Sequence, residues 1–292
     1  MSRFFSGEHP EKEHLLRGGG LAHEILDLRE DVGRAFDSVE TAIGSEVSDD
    51  RLPRLSYGGP TLVDIIPIPG NPSASAVILM PDKSFRVLSF PVSFNPSSVG
   101  PGGLDVGSEA PSTFYYLYAV PTNPTGDVLH IRGSVNPPTV GPTGFSVSRY
   151  LGAIYNDSSS DILPFLSRGS KVRLASAQII QQLSGVGIST EGSPVAVDLS
   201  AFVPLTAGAV ILEASLKGTG GADGMVELYI NGFQSFNSHL QIQSTDTEWN
   251  FEIAEFETPG TPKKIYRRFE EFVGNLDTFC LLCLGWVDEW LE

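Results

Sequence analysis

The residue pair whose spacing could do chemistry is Cys280 and Cys283, a C-x-x-C of the kind that holds zinc. The surrounding run, Phe279 to Trp290, reads as a strand. On a strand, positions three apart face opposite sides, so the two sulfurs do not converge on one ion. No second ligand pair stands nearby, and Leu281, Leu282 and Leu284 mark the thiols as small buried hydrophobes. Gly218, Gly220, Gly221 and Gly224 have the density of a phosphate-cradling loop. The run that follows, Met225 to Leu228, reads as a strand, whereas phosphate loops open a helix whose N-terminus meets the anion. A loop between strands is expected there. His9, His14, His23, His130 and His239 share no ligand spacing, and no nucleophile elbow, zinc-protease motif or EF-hand series occurs. The sequence therefore predicts no catalytic residue, no metal site and no cofactor.

The aromatic run Phe114-Tyr115-Tyr116-Leu117-Tyr118 leaves two readings. As a strand it puts Phe114, Tyr116 and Tyr118 on one face and Tyr115 and Leu117 on the other. It is either a sheet interior whose hydroxyls find partners, or an exposed platform on which Tyr116 and Tyr118 stack against a glycan. Trp286 and Trp290 likewise fall on one strand face and read as interior.

Charge narrows the partners. The chain carries 35 Asp and Glu against 19 Lys and Arg, a net charge of −16. Such a surface repels phosphates, so no nucleic acid is expected. The one basic cluster, Lys263, Lys264, Arg267 and Arg268, alternates between strand faces and reads as a solvated edge or subunit contact. Residues 1–20 hold no apolar signal core, and the longest apolar run, Phe279 to Val287, is too short to cross a membrane. Synthesis in a cytosol is expected, with no membrane partner.

The elements that position these residues fall into three stretches: an anchor segment and helix in 1–50, a first β domain in 51–170 and a C-terminal β-sandwich in 171–292. Leu21, Ile25, Leu28, Val32, Ala35, Val39 and Ala42 recur at alternating spacings of four and three, which predicts a helix over about residues 21–43 with a heptad seam. Gly18, Gly19 and Gly20 precede it and Gly44 supplies a terminator. The seam predicts self-association, the alternative being an amphipathic helix lying on its own domain. Its β-branched a positions favour two strands, whereas Phe36 and Ile43 widen the stripe toward three.

From Leu55 onward short apolar segments alternate with turn clusters. Ile65–Ile68, Val77–Met80, Phe85–Phe90, Phe114–Val120, Val128–Arg132 and Tyr150–Tyr155 read as strands, and Pro-Gly and Asn-Pro clusters separate them. Leu129 and Ile131 point one way, His130 and Arg132 the other. Beyond Lys171, Val210, Leu212, Ala214 and Leu216 alternate with Ile211, Glu213, Ser215 and Lys217, and Asn231-Gly232 marks a hairpin. Short strands without a βαβ rhythm predict a mainly β chain built of antiparallel sandwich or jelly-roll-like regions.

The segments FYYLYAVPTNPTGD (Phe114–Asp127) and VLHIRGSVNPPTVGPTGFSVSRYLGAIYNDSSSDILPF (Val128–Phe165) resemble a module of the fibre, spike and decoration proteins of tailed bacteriophages. VDLSAFVPLTAGAVILEASLKG (Val197–Gly218) and the run from Lys264 to Glu289 are similar to the β-sandwich that follows it. The resemblance implies a non-enzymatic virion structural protein, a homotrimer forming a short fibre or spike on tail or capsid. Its partners would be copies of itself, other virion proteins through the N-terminal segment and, if it works as a receptor-binding adhesin, a host surface glycan. Its location would be the virion.

Overall fold

Alternation of buried and exposed side chains carries most of this fold. In the computed structural model it runs Ala76, Ile78, Met80 inward against Val77 and Leu79 outward, and Phe279, Leu281, Cys283 inward against Thr278, Cys280, Leu282. That period of two is what a sheet with one covered face imposes. The structure describes residues 53–66, 75–123, 126–184, 191, 193–230, 239–244, 249–258 and 263–291. The chain divides into two units, 1–48 and 49–292, and every described residue lies in the second. The predicted helix over 21–43 and its seam residues lie outside the described residues.

The described chain is mainly β, with sixteen strands and one 3-10 turn. Strands β1 (Arg54–Gly59), β2 (Leu62–Ile66), β3 (Ala76–Leu79), β4 (Phe85–Leu88), β5 (Val92–Phe94), β6 (Gly103–Leu104), β7 (Thr113–Pro121), β8 (Leu129–Ser134) and β9 (Arg149–Asn156) form the first part. There follow β10 (Phe165–Arg168), β11 (Lys171–Ser184), β12 (Val195–Asp198), β13 (Ala207–Tyr229), β14 (His239–Ser244), β15 (Trp249–Glu257) and β16 (Lys264–Asp288). Ten strands make one sheet in the order β14-β13-β16-β11-β10-β1-β2-β5, with β12 beside β16 and β15 beside β13. A four-stranded sheet runs β6-β8-β7-β9, and β3 with β4 makes a separate hairpin. The ten-stranded sheet draws from both sides of residue 170, and β10 and β11 are joined there by Gly169 and Ser170 alone.

The long pair β13 and β16 is the centre of the architecture. β13 has 23 residues and β16 has 25, and they pair antiparallel along their lengths. Neither is straight. Phe269 and Phe279, ten positions apart on β16, meet edge to face with ring centroids 5.2 Å apart. A straight strand would separate them by about 33 Å. The register shifts between Lys217 and Gly218, Thr219 and Asp223, and Asp223 and Met225. Irregular pairing of this kind bends a sheet over on itself and turns one sheet into the two layers of a sandwich. Val226, Leu228, Ile265 and Phe269 of one half share a buried core with Leu212, Leu216, Phe279 and Leu281 of the other. Gly218, Gly220, Gly221 and Gly224 thus lie within strand β13 at this bend, not in a loop between strands. Glycine is suited to the position because a bend leaves little room for side chains.

The Asn231-Gly232 turn lies outside the described residues, while β13 and β14 pair antiparallel from Gly224↔Ser244 to Tyr229↔His239. One further expectation is corrected. The last strand ends at Asp288, and Glu289–Leu291 form a 3-10 turn, so Trp290 is 45% exposed while Trp286 is buried.

Candidate functional site

The aromatic strand β7 is buried on both faces. Tyr115, Leu117 and Ala119 join the large core, whereas Tyr116, Tyr118 and Val120 form a second one with Tyr150 and Ala153 of β9. Tyr116 and Tyr118 are 3% and 1% exposed. The Tyr118 hydroxyl donates to the Asn136 carbonyl at 2.7 Å, and the Tyr116 hydroxyl accepts from the Leu205 amide at 3.0 Å. Burial raises both phenols, Tyr118 to a greater degree, and both stay protonated. Of the two readings of the aromatic run, these positions fit the sheet interior whose hydroxyls find partners, and neither ring offers the open face a glycan platform needs.

That second layer is anchored by a polar cluster that no local spacing announces. Tyr150 of β9 and Thr206, which precedes β13, converge on Asp288 at the end of β16. The Tyr150 hydroxyl donates to Asp288 Oδ2, Thr206 Oγ1 donates to the same oxygen at 3.0 Å, and the Trp290 amide reaches Oδ1 at 3.2 Å. Tyr150 and Thr206 also touch each other, at 3.1 Å between their hydroxyl oxygens. The backbone is tied as well, since the Asp288 amide donates to the Ser170 carbonyl at 2.8 Å. Asp288 is fully buried. Burial lifts its carboxyl to about 6 and outweighs the hydrogen bonds from Tyr150, Thr206 and Trp290, which pull the other way.

Lys263 lies close to this cluster and is also buried. Its ammonium donates to the Ala207 carbonyl at 2.5 Å and the Thr258 carbonyl at 3.0 Å. Burial lowers its pKa, while Glu289 and Asp288 oppose that shift. Beside it opens a cleft of about 250 Å3 that includes Thr206, Glu289 and Trp290. A second cleft, of about 310 Å3, includes Tyr155, Phe202, Gln178 and Trp286. The Tyr150–Thr206–Asp288 cluster itself is closed to solvent. Each carboxylate oxygen already accepts a hydrogen bond, and the phenol that could give up a proton has its pKa driven well above 10 by burial. Such an arrangement clamps chain segments together and offers no group to a substrate.

The basic cluster is likewise consumed internally. Lys263 and Arg267 are buried, which corrects the solvated-edge alternative for these two of the four residues. Arg267 pairs with Glu191 at 2.9 Å and lies over the Phe269 ring at 4.6 Å, and Arg268 pairs with Glu227 at 2.9 Å. Lys264 is exposed, with its ammonium 5.4 Å from the centre of the Tyr266 ring. Buried cations at the start of β16 and just before it are tolerable because each finds a carboxylate, a carbonyl or an aromatic face.

Cys280 and Cys283 are free thiols on opposite faces of β16, half-buried and fully buried respectively. Burial raises both, Cys283 to about 11, so neither is a thiolate at neutral pH. The seam residues Leu21, Ile25, Leu28, Val32, Ala35, Val39 and Ala42 lie outside the described residues. Sequence reasoning missed Tyr150, Thr206 and Asp288 altogether. Tyr150 and Asp288 are 138 positions apart, and no motif links residues at that range.

Comparison with protein-family models, with curated proteins and with solved structures finds no match for this chain.

Proposed function

We propose that the protein is a non-enzymatic structural subunit of a tailed-phage virion, assembling as a homotrimer into a short fibre or spike. The supporting observation is how the two regions that carry the family resemblance sit in the fold. Residues 114–165 supply the aromatic sheet, and residues 197–218 with 264–289 supply the bent sandwich. They interlock through Tyr150 on Asp288, the Leu205 amide on Tyr116, and Phe114 packed edge to face on Trp286 at 5.8 Å. A single interlocked β body suits a part that must hold its shape on a particle. In this reading the heptad over residues 21–42 gathers three copies, and the N-terminal segment docks on another virion protein.

Antibody-gold labelling of purified particles tests the assignment. Label at the tail or on the head is the expected outcome, and its position says which of the two carries the protein. Particles that stay unlabelled while denatured virion protein reacts on a blot are expected only if the epitope is covered. No reaction in either form removes the virion reading.

A further inference from the structure

The cleft beside Lys263 is lined by polar groups that the fold leaves unused. Part of it is the turn Glu289–Leu291, which is held by its backbone: the Glu289 amide donates to the Thr206 carbonyl at 3.0 Å, and the Trp290 amide to Asp288 Oδ1. Both side chains are thereby left to the cleft, where Trp290 is 45% exposed. The Glu289 side chain lies against Gly208, since a Cβ added there would stand 3.0 Å from its Oε2. Its carboxylate accepts no hydrogen bond among the described residues. Pro137, Pro138 and Thr139 line the same cleft. The Pro137 carbonyl accepts the amides of Val140 and Gly141, both at 2.9 Å, which closes that loop into a fixed turn. Lys263 is the buried member of the set. An ammonium has three N–H donors, and the carbonyls of Ala207 and Thr258 take two of them. The third has no partner among the described residues, and a buried donor is costly to leave without an acceptor.

These groups specify an occupant. It must bring an acceptor to Lys263, donors to Glu289 and an apolar ring face to the Trp290 indole. A sugar ring meets all three demands, because each hydroxyl both donates and accepts and the C–H face of the ring packs on an aromatic one. Charge chooses among sugars. Lys263 and Glu289 offset each other, Asp288 acts on Lys263 from close by, and the chain as a whole stands at −16. A carboxylated sugar is repelled by that field and a neutral one is not. Size limits the length. The cleft, at about 250 Å3, is smaller than the roughly 300–1,000 Å3 that enclose drug-sized ligands, so it suits a single ring. We propose that this cleft binds one residue of a neutral glycan, with its ring face on Trp290 and its hydroxyls donating to Glu289 and accepting from Lys263. Free in solution, a ligand of so few heavy atoms is expected to bind at about 1 mM. Several sites on one assembly would hold a repeating glycan more tightly.

The site goes beyond the structural role and does not rest on it, since sugar binding and assembly are read by different measurements. The test is a saturation-transfer NMR titration of the full-length chain with the methyl glycosides of glucose, galactose, mannose and N-acetylglucosamine, and with glucuronic acid as the anionic comparison. At least one neutral glycoside is expected to take up saturation, most strongly at its ring C–H protons. Trp290→Ala is expected to weaken binding about tenfold or more, and Glu289→Gln about threefold to tenfold. Trp290→Phe keeps an aromatic face and is expected to hold affinity within about threefold. Both residues are exposed and their backbone bonds survive substitution, so the variants are expected to fold, which circular dichroism checks. Transfer from none of the four glycosides, or transfer that Trp290→Ala leaves unchanged, would overturn the site. So would glucuronic acid binding more tightly than all four. A native mass that falls on Trp290→Ala would give the indole to a contact between copies and likewise remove the sugar.

Discussion

Replacing Gly285 with alanine is expected to cost about 3–5 kcal/mol of stability, near the upper end for a single methyl group. Gly285 sits on β16 between two partners, opposite Arg173 of β11 and Ile211 of β13. Its φ is +150°, a conformation that side chains rarely adopt, and an added Cβ would stand 2.0 Å from the Val172 carbonyl oxygen and 3.0 Å from Arg173 Cα. Those atoms belong to a neighbouring strand of the sheet and cannot rotate away. Gly144 is the appropriate control: its φ is +85°, yet an added Cβ would meet nothing within 4 Å. Gly144→Ala should therefore show conformational strain alone, about 1–2 kcal/mol. Urea unfolding separates them, and a Gly285→Ala midpoint no lower than that of Gly144→Ala would mean that β11 and β16 do not approach as described.

The second large effect is a dependence on pH that belongs to Asp288. Its carboxyl ordinarily titrates near 3.8 and in the fold near 6, so the folded protein holds this proton more tightly than the unfolded chain does. Stability from this group is fully present below 3.8 and is lost as pH rises through 6, by about 3 kcal/mol in total. Asparagine resembles the protonated form, because it can still accept at Oδ1 while its amide donates. The stability of Asp288→Asn relative to wild type is thus expected to rise between about pH 4 and pH 7, by up to about 3 kcal/mol. Lys263 and Glu289 act on the same cluster: burial lowers the Lys263 ammonium, and Glu289 and Asp288 oppose that shift. Parallel stability curves for the two proteins would show that Asp288 is not held as the structure places it.

Much of the secondary structure was legible in the sequence because period-two patterns are local. The segments Val77–Met80, Phe114–Val120, Val128–Arg132 and Tyr150–Tyr155 all fall on strands, and Leu129 and Ile131 do face away from His130 and Arg132. The bend was not legible. Gly218, Gly220, Gly221 and Gly224 carry the composition of a loop, and distant pairing along β13, of Gly218 with Leu276 of β16 and of Gly224 with Ser244 of β14, makes them part of a strand. Burial of Tyr116 and Tyr118 was also undecided by pattern, since a strand covered on both faces looks like one covered on one face when every residue is aromatic or aliphatic. Part of what covers them, Leu291 and the Leu205 amide on Tyr116, arrives from far along the chain. The polar cluster shows the limit most plainly. A tyrosine, a threonine and an aspartate are unremarkable singly, and their chemistry exists only once β9 and β16 are brought together.

The proposed trimeric assembly is tested most directly by the mass of the native protein. A multiple of three chains of 31.4 kDa is expected by light scattering, persisting on dilution to the low micromolar range. A strict monomer across that range would contradict it.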